Sequence, residues 1–280
     1  MKLKRNPLSN PVSGIARILI YAAAFITVAM MLFIVGYILI RGIPNLKLSL
    51  FEWEYSTKNV SMLPSIINTI EITVFTLLIA VPLGVFAAIY LVEYSKQNSL
   101  VVKLIRVTTE TLTGIPSIVY GLFGYFAFVL AMGWGYSLAA GVLTLAIMVL
   151  PVIVRTTEEA LLAVPVSYRE GSFGLGAGKL RTVFRIIVPS AMPGILSGVI
   201  LAIGRIVGET AALIYTSGTG SQAAASLSDS ARTLSVHMYC LLSEGFYTEE
   251  AYATAVVLLV VVISINAASG ALAKRLAKAS

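Results

Sequence analysis

The sequence lacks most of the residues with which a soluble protein covers its surface or builds a metal site. Only 12% of its 280 residues are charged, whereas soluble domains carry about 25%. Cys240 is the only cysteine and His237 the only histidine, which excludes an internal disulfide and a metal site built on several such ligands. In contrast, 58% of the residues are hydrophobic and the mean hydropathy is +0.91. The composition therefore indicates a polytopic membrane protein.

Long runs without charge predict the membrane spans. A helix needs about 20 consecutive apolar residues to cross a bilayer, and an open sheet cannot cross because its edges would stay unpaired in lipid. We predict one all-α domain over 1–280 with six transmembrane helices, at about 18–40, 66–92, 111–132, 136–154, 190–215 and 251–273. The first run is too long for a cleaved signal and is interpreted as a retained helix.

The basic residues predict how these helices are oriented. An even number of spans places both termini on one side of the bilayer. Fifteen of the 20 lysines and arginines, Lys2, Lys4 and Arg5 among them, fall on that side, and four fall on the other. Because basic loops favour the cytoplasm, both termini are predicted to be cytoplasmic, N-in and C-in. The net charge of +7 then reflects topology in a lipid bilayer and implies no nucleic acid.

The most densely charged loop, at about 155–189, joins the fourth and fifth spans on the predicted cytoplasmic side. Ser167 and Glu170 have the spacing of a capping box, which predicts a short helix over about 168–175. Gly176 is suited to end it, because glycine adopts the left-handed cap conformation at little cost. A second helix is predicted to follow and to run toward Pro189.

Three glycines of this loop, Gly174, Gly176 and Gly178, precede Lys179 and suggest a phosphate-binding loop. A Walker A loop has one glycine directly before the lysine, another glycine five positions earlier, and a Ser or Thr directly after the lysine. Here both the earlier glycine and the Ser or Thr are missing. We therefore predict that this chain binds no ATP and has no cofactor of its own. The residues alone leave open whether the short helix lies on lipid or docks into another protein.

One segment of the loop resembles a known family. Glu170–Gly176, followed after nine residues by Ile186–Pro189, is similar to the E-A-A-x3-G-x9-I-x-L-P motif of ABC importer permease subunits. The spacing is kept, while Gly171 and Ser172 replace the two alanines and Val188 replaces the leucine. The resemblance implies the type I permease architecture, in which this helix is a cytoplasmic coupling helix that docks on an ATPase subunit. It assigns docking to Ser167, Tyr168, Arg169, Glu170, Gly171, Ser172 and Gly176.

Two ionisable residues, Arg205 and Glu209, lie within the predicted fifth span. Charges at this depth are costly unless they are paired or hydrated, which makes them functional candidates. Four positions apart on a helix, they share one face with small residues such as Gly194, Gly198 and Ala202, a pattern typical of close helix packing. Two interpretations remain: an intrahelical ion pair that locks two helices, or an anion pathway in which the arginine binds an oxyanion.

Two other positions are ambiguous from the residues alone. Pro116 is predicted to bend the third span, because proline frees a backbone carbonyl, and the bent helix is either a packing element or a hinge. Arg155, at the inner end of the fourth span, is either an interfacial residue whose side chain extends toward water or part of a pathway.

Three segments resemble one branch of the family more closely. Gly114–Gly124, Arg155–Leu161 and Arg205–Ala211 are similar to phosphate-specific ABC importer permeases, and the short chain favours the PstA type over the PstC type. The resemblance implies that the protein translocates inorganic phosphate across the bacterial inner membrane as a multi-pass permease. It also implies that Arg155 and Arg205 take part in phosphate passage.

The resemblance implies a set of partners as well. These are a PstC-like permease that completes a heterodimer, two copies of an ATPase subunit that bind ATP and Mg, and an extracytoplasmic phosphate-binding protein. The alternative within the same architecture is a permease for another oxyanion such as sulfate or molybdate. A stand-alone carrier or a membrane enzyme is disfavoured, because no inverted repeat is evident and His237, in the outer loop Ser217–Thr248, is predicted to be an ordinary surface residue.

Overall fold

The computed structural model describes residues 11–56, 58–96 and 99–279, with side chains from 14 to 271 within these ranges. Lys2, Lys4 and Arg5, which entered the prediction of orientation, lie outside the described residues. The helices are α1 Pro11–Gly42, α2 Leu63–Ile89, α3 Leu100–Thr113, α4 Ser117–Gly124, α5 Leu138–Leu162, α6 Val166–Gly174, α7 Lys179–Thr182, α8 Val188–Val207, α9 Ala211–Thr216, α10 Leu234–Glu244 and α11 Thr248–Ala279. Wider π-type turns extend α2 and α4 at their ends and join α7 to α8.

Within the described ranges, five helical stretches are long and apolar enough to cross a membrane. They are Gly14–Asn45, Leu63–Tyr94, Leu138–Leu162, Lys179–Val207 and Thr248–Ala271. The first, second, fourth and sixth predicted spans fall on four of them, and the fifth predicted span falls largely on Lys179–Val207. A sixth crossing is present if the bent pair of α3 and α4 counts as one span.

The third predicted span is broken. We predicted one bent helix over 111–132, but α3 ends at Thr113 and α4 begins at Ser117, with an angle of 103° between α3 and the helix Ser117–Ala131. Pro116 explains the break, because proline cannot donate a helical hydrogen bond and restricts the residue before it to extended conformations. Its own ψ of 140° is extended. The apolar part of the span therefore begins only after this proline.

The core is built around α5, which contacts α2, α3, α4, α8 and α9. Leu145, Met148 and Val149 of α5 are fully buried and pack with residues of α2, α8 and α9 in one cluster. A second cluster lies toward the loop that joins α5 to α8, and a third packs the segment 48–62 against α10 and α11. The bundle therefore has an apolar centre with a separate small core at each end of α5.

Small residues on α8 allow it to approach α5 closely. A Cβ atom placed on Gly194 would lie 2.6 Å from the Cβ of Ala160, and one placed on Gly198 would overlap the Thr156 side chain. Ala202, on the same stripe, is fully buried. The prediction of close packing along this stripe is confirmed.

The loop between α5 and α8 forms a compact hairpin, residues 163–178, around α6. The capping box does not form, because α6 starts after Pro165 and Ser167 lies inside the helix without a capping hydrogen bond. Gly176 has a φ of +82°, as expected of a residue that ends a helix in the left-handed region. The helix that follows does not stop at Pro189 but continues into the membrane as α8. The hairpin therefore leads into a spanning helix without an intervening loop.

Candidate functional site

Glu209 lies in a break of the fifth span. Residues 208–210 separate α8 from α9, and the Oε1 atom of the buried Glu209 accepts a hydrogen bond from the Ala212 amide at 3.1 Å. This bond satisfies one of the free N–H groups at the start of α9. The prediction that Arg205 and Glu209 share one face of a continuous helix is therefore wrong, because the carboxylate is used to begin a new helix.

Arg205 is partly buried near the end of α8 and has no hydrogen bond or ion pair within the described ranges. The described residues form the ion pairs Arg106–Glu158, Arg155–Glu159 and Arg169–Glu93. The intrahelical Arg205–Glu209 pair is thus absent. Arg205 lies within electrostatic range of the Tyr120 side chain, whose hydroxyl donates a hydrogen bond to the Leu112 carbonyl at 2.8 Å. The charge of Arg205 is left available for a ligand.

Arg155 has a different environment. Its side chain is 51% exposed, and its Nε atom lies 3.1 Å from Oε1 of Glu159 on the next turn of α5. It lines an open cleft of about 310 Å³ with Arg106, Thr109, Glu110, Glu158, Glu159 and Leu162. The acidic residues of this cleft offset its two arginines, so Arg155 alone does not make a strongly cationic site.

The two arginines lie at different depths along the bundle. The contacts of Gly194 with Ala160 and of Gly198 with Thr156 show that α8 runs antiparallel to α5. Arg155 is next to Thr156, whereas Arg205 lies seven residues beyond Gly198, about 10 Å further along the axis at 1.5 Å per residue. The structure therefore does not bring them together in one site. Arg155 is nearer to the hairpin, and Arg205 is nearer to the opposite end of the bundle.

Helix α6 has an exposed face that carries most of the predicted docking residues. Ser167, Tyr168, Glu170, Gly171 and Gly176 are exposed. Ser172 is buried, with its hydroxyl 2.8 Å from that of Thr182, so it holds the hairpin together. Three apolar side chains at this surface were not predicted as docking residues, although apolar residues in a short polar helix signal a partner. They are Val166, Phe173 and Leu175, the last 91% exposed.

Arg169 faces the inside of its own chain. Its Nη2 atom donates to Oε1 of Glu93 at 2.7 Å and to the Leu161 carbonyl at 3.0 Å, and its Nη1 atom donates to the Val164 carbonyl at 3.0 Å. Glu93 ends the second span, and the two carbonyls lie at the end of α5. Arg169 therefore connects α6 to two spanning helices, and its guanidinium is occupied within the chain.

The prediction that His237 is a surface residue is wrong. His237 lies in α10 and is fully buried, because the segment 48–62 covers this helix. Burial lowers its pKa to about 3, and the positive charge of Arg232 adds to this shift. The Val60 carbonyl acts in the opposite direction, although neither ring nitrogen has a hydrogen-bond partner of good geometry among the described residues. Sequence reasoning missed Arg232 as well, since nothing in a polar loop indicates its burial.

Solved structures with the same arrangement of helices define the class of the protein. One is a bacterial alginate ABC transporter in complex with alginate pentasaccharide-bound periplasmic protein, with a TM-score of 0.67, 15% identity, and coverage of 95% of this chain and 97% of that one. The MetNI methionine ABC transporter in an inward-facing conformation gives a TM-score of 0.59 at 19% identity, covering 86% and 97%. The chain therefore has the fold of the permease subunits of type I ABC importers.

The family follows from the sequence of the chain. Residues 80–278 match the family described as binding-protein-dependent transport system inner membrane component, and the chain belongs to this family. The probable ABC transporter permease protein YqgI of Bacillus subtilis is 39% identical over 70% of this chain and 67% of its own length. The phosphate transport system permease protein PstA 2 of Mycobacterium bovis is 38% identical over 64% and 58%, and PstA of Pasteurella multocida is 35% identical over 88% and 89%.

Proposed function

We propose that this chain is the translocation subunit of an ATP-driven importer of inorganic phosphate. It forms half of the permeation pathway and couples to a separate ATPase. The relatives named as phosphate transport permeases support the substrate, and one of them aligns with 88% of the chain. The observation that carries the proposal is Arg205, a partly buried cation without a partner among the described residues, next to a break in a spanning helix.

The chemistry of this site suits a phosphate ion. A guanidinium binds two oxygens of an oxyanion through parallel N–H donors, and its charge is worth more where water is excluded. The break at residues 208–210 leaves α8 and α9 free to shift against each other during a cycle. Glu209 fixes the start of α9 through its bond to Ala212, and it contributes to the pathway by positioning this short helix rather than by pairing with Arg205.

Arg155 has a secondary role in this scheme. Its charge is shared with Glu159 at 3.1 Å, so it attracts an anion more weakly than Arg205. It lies nearer to the coupling hairpin and receives phosphate after Arg205 as the ion moves toward the cytoplasm. This order depends on the N-in and C-in topology, which places the hairpin in the cytoplasm.

The remaining partners complete the transporter. The exposed face of α6 docks in a groove of the ATPase, which supplies the ATP and Mg chemistry in two copies. A PstC-like permease provides the other half of the pathway, and an extracytoplasmic binding protein delivers phosphate. Closure of the ATPase pair displaces α6, and this displacement reaches α2 and α5 through Arg169 and reaches α8 through α7.

Uptake of labelled phosphate, with labelled sulfate as the control, tests this function in cells that lack the chain and other phosphate carriers. Restoring the chain should recover phosphate uptake and leave sulfate uptake unchanged. Recovery of sulfate or molybdate uptake alone would assign the alternative oxyanion. Recovery of no anion uptake, with the whole complex assembled, would contradict the proposal.

A further inference from the structure

A buried cation lies on the side of the bundle opposite the hairpin, and the proposed pathway does not use it. Arg232 precedes α10 and is only 4% exposed. Its Nε and Nη2 atoms have no hydrogen-bond partner among the described residues, and it takes part in none of their ion pairs. A buried charge without a counter-ion is strongly unfavourable. We therefore expect this guanidinium to have an anionic partner.

The two unpaired donors lie on the same edge of the guanidinium. Nε–H and one N–H of Nη2 point in parallel, a geometry that matches two oxygens of one oxyanion. The face of the group is occupied by Tyr55, whose ring centroid lies 4.3 Å from Cζ of Arg232. This stacking orients the plane of the guanidinium but provides no acceptor in line with its edge. The edge is therefore the part of Arg232 that a ligand can use.

His237 provides a neutral partner beside this cation. Its ring packs edge-on against the same Tyr55 ring, with centroids 6.1 Å apart. The Val60 carbonyl lies near the ring, but neither ring nitrogen has a hydrogen-bond partner of good geometry among the described residues. Because its pKa is lowered to about 3, the imidazole is neutral at physiological pH and offers one donor and one acceptor. It can thus donate to an unprotonated oxygen of phosphate or accept from a protonated one.

The position at the start of α10 adds to the preference for an anion. Arg232 stands two residues before the first residue of this 11-residue helix, whose N-cap is Thr233. The N-terminus of a helix carries a partial positive charge that attracts anions and disfavours an arginine. The Leu234 and Val236 amides of the first turn are already bonded to the Thr69 and Thr233 hydroxyls, so the helix contributes its dipole and no free donor from these two residues.

We propose that Arg232 and His237 form a second oxyanion site, separate from Arg205. The identity of its ligand, inorganic phosphate, rests on the proposed function. The site lies beyond the end of α8 that is remote from the hairpin, so an incoming ion meets it before it meets Arg205. Its polar atoms are closed off from solvent, and the Tyr55 ring, which covers one face of the guanidinium, moves aside to admit the ion.

Cys240 provides a local probe of this site. It is the only cysteine of the chain. Burial raises the pKa of its thiol, while the charge of Arg232 and a hydrogen bond with the Arg232 side chain act in the opposite direction. A phosphate ion bound to Arg232 offsets that charge and reduces the thiolate fraction, and the thiolate is the form that reacts with alkylating reagents.

The experiment measures alkylation of Cys240 by iodoacetamide in the purified complete complex in nanodiscs. Peptide mass spectrometry separates Cys240 from cysteines of the partner chains. Phosphate, sulfate and chloride are compared at equal ionic strength. We expect phosphate to slow alkylation by about threefold or more, equivalent to half a pKa unit or more, and chloride to have no such effect. Arg232→Gln should abolish the effect of phosphate, whereas Arg205→Gln should retain it.

The controls keep the two proposals distinguishable. If Arg232→Gln prevents assembly, Arg232→Lys can be used instead, because it retains the charge but lacks the two parallel N–H donors. This variant should require at least about tenfold more phosphate for the same protection of Cys240. Equal slowing by chloride, or slowing by phosphate that survives in Arg232→Gln, would overturn the oxyanion site. Phosphate import without any anion effect on Cys240 would also overturn it and leave the proposed function standing. Protection and import with sulfate alone would retain the site and overturn the phosphate assignment.

Discussion

Arg155, Arg205 and Arg232 differ in how the surrounding residues compensate their charge. Arg155 is half exposed and paired with Glu159, so water and a carboxylate already stabilise it. Arg205 is partly buried and Arg232 almost completely buried, and neither has an acidic partner within the described ranges. At the scale of single residues, burial without a counter-ion separates an anion-binding arginine from an interfacial one.

Replacing Arg205 tests this distinction. Arg205→Gln should lower phosphate uptake by roughly tenfold to a hundredfold, since a hydrogen bond to a charged group contributes about 1.5–3 kcal/mol. Arg155→Gln should have a smaller effect, because Glu159 already compensates that charge. Both variants should still co-purify with the ATPase, and uptake is normalised to the amount of complex. Equal losses in the two variants would contradict the greater importance assigned to Arg205.

At the scale of elements, the fit between α5 and α8 depends on glycines that lie against side chains of α5. Gly198→Ala should destabilise the protein by about 1–3 kcal/mol, the usual cost of overpacking, because the new methyl group overlaps Thr156. Gly204→Ala is the matched control on the same helix, where the added methyl group meets nothing within 4 Å. It should be neutral or stabilising by up to about 1 kcal/mol. Thermal unfolding of the purified subunit in detergent measures both.

Substitutions in the hairpin around α6 can test docking of the ATPase and transmission of movement separately. Leu175 is 91% exposed, so Leu175→Asp should release the ATPase from purified complexes without unfolding the permease. Arg169→Gln should retain the ATPase, because the exposed face of α6 is unchanged. It should lower the phosphate transported per ATP hydrolysed several-fold, because the connection to Glu93 and to the Leu161 and Val164 carbonyls at the end of α5 is lost.

Co-purification and the ratio of transport to hydrolysis distinguish these two outcomes. Glu93→Gln is the milder control, since its amide still accepts a hydrogen bond from Arg169. If Arg169→Gln releases the ATPase as Leu175→Asp does, Arg169 belongs to the docking surface. An unchanged ratio of phosphate transported to ATP hydrolysed in Arg169→Gln would show that the hydrogen bonds of Arg169 transmit no movement.

At the scale of the whole molecule, the orientation in the membrane decides which end of the pathway phosphate enters. Leu48 and Leu175 are both 91% exposed and lie at opposite ends of the bundle, so each can be replaced by cysteine after Cys240→Ser. With both termini cytoplasmic, a membrane-impermeant maleimide should label Leu48→Cys in spheroplasts. It should label Leu175→Cys only in inside-out vesicles free of ATPase. The reverse pattern would overturn the predicted orientation.

Much of the fold could be predicted from local patterns. Long apolar runs indicated most of the spanning helices, Gly176 indicated where α6 ends, and the stripe of Gly194 and Gly198 indicated close packing. Each of these features depends on neighbours within a turn or two of helix, where residue type and spacing act directly. Two of the wrong predictions concern breaks, because a long apolar run does not reveal that Pro116 or the carboxylate of Glu209 starts a new helix.

The candidate sites depended much more on tertiary structure. The residue pattern was enough to predict that the chain crosses the membrane repeatedly, that α6 matches a coupling helix, and that Arg205 lies in an apolar segment. The bond between Arg169 and Glu93 and the burial of Arg232 and His237 became evident from the packing of the folded chain. Arg232 and His237 are buried by residues that are distant from them in sequence. Asn68 of α2 donates to the Arg232 carbonyl at 3.2 Å, and the Leu234 amide donates to the Thr69 hydroxyl of the same helix α2 at 2.8 Å. Distant segments exclude water from Arg232 and His237, and the residues beside them in sequence do not record which segments those are.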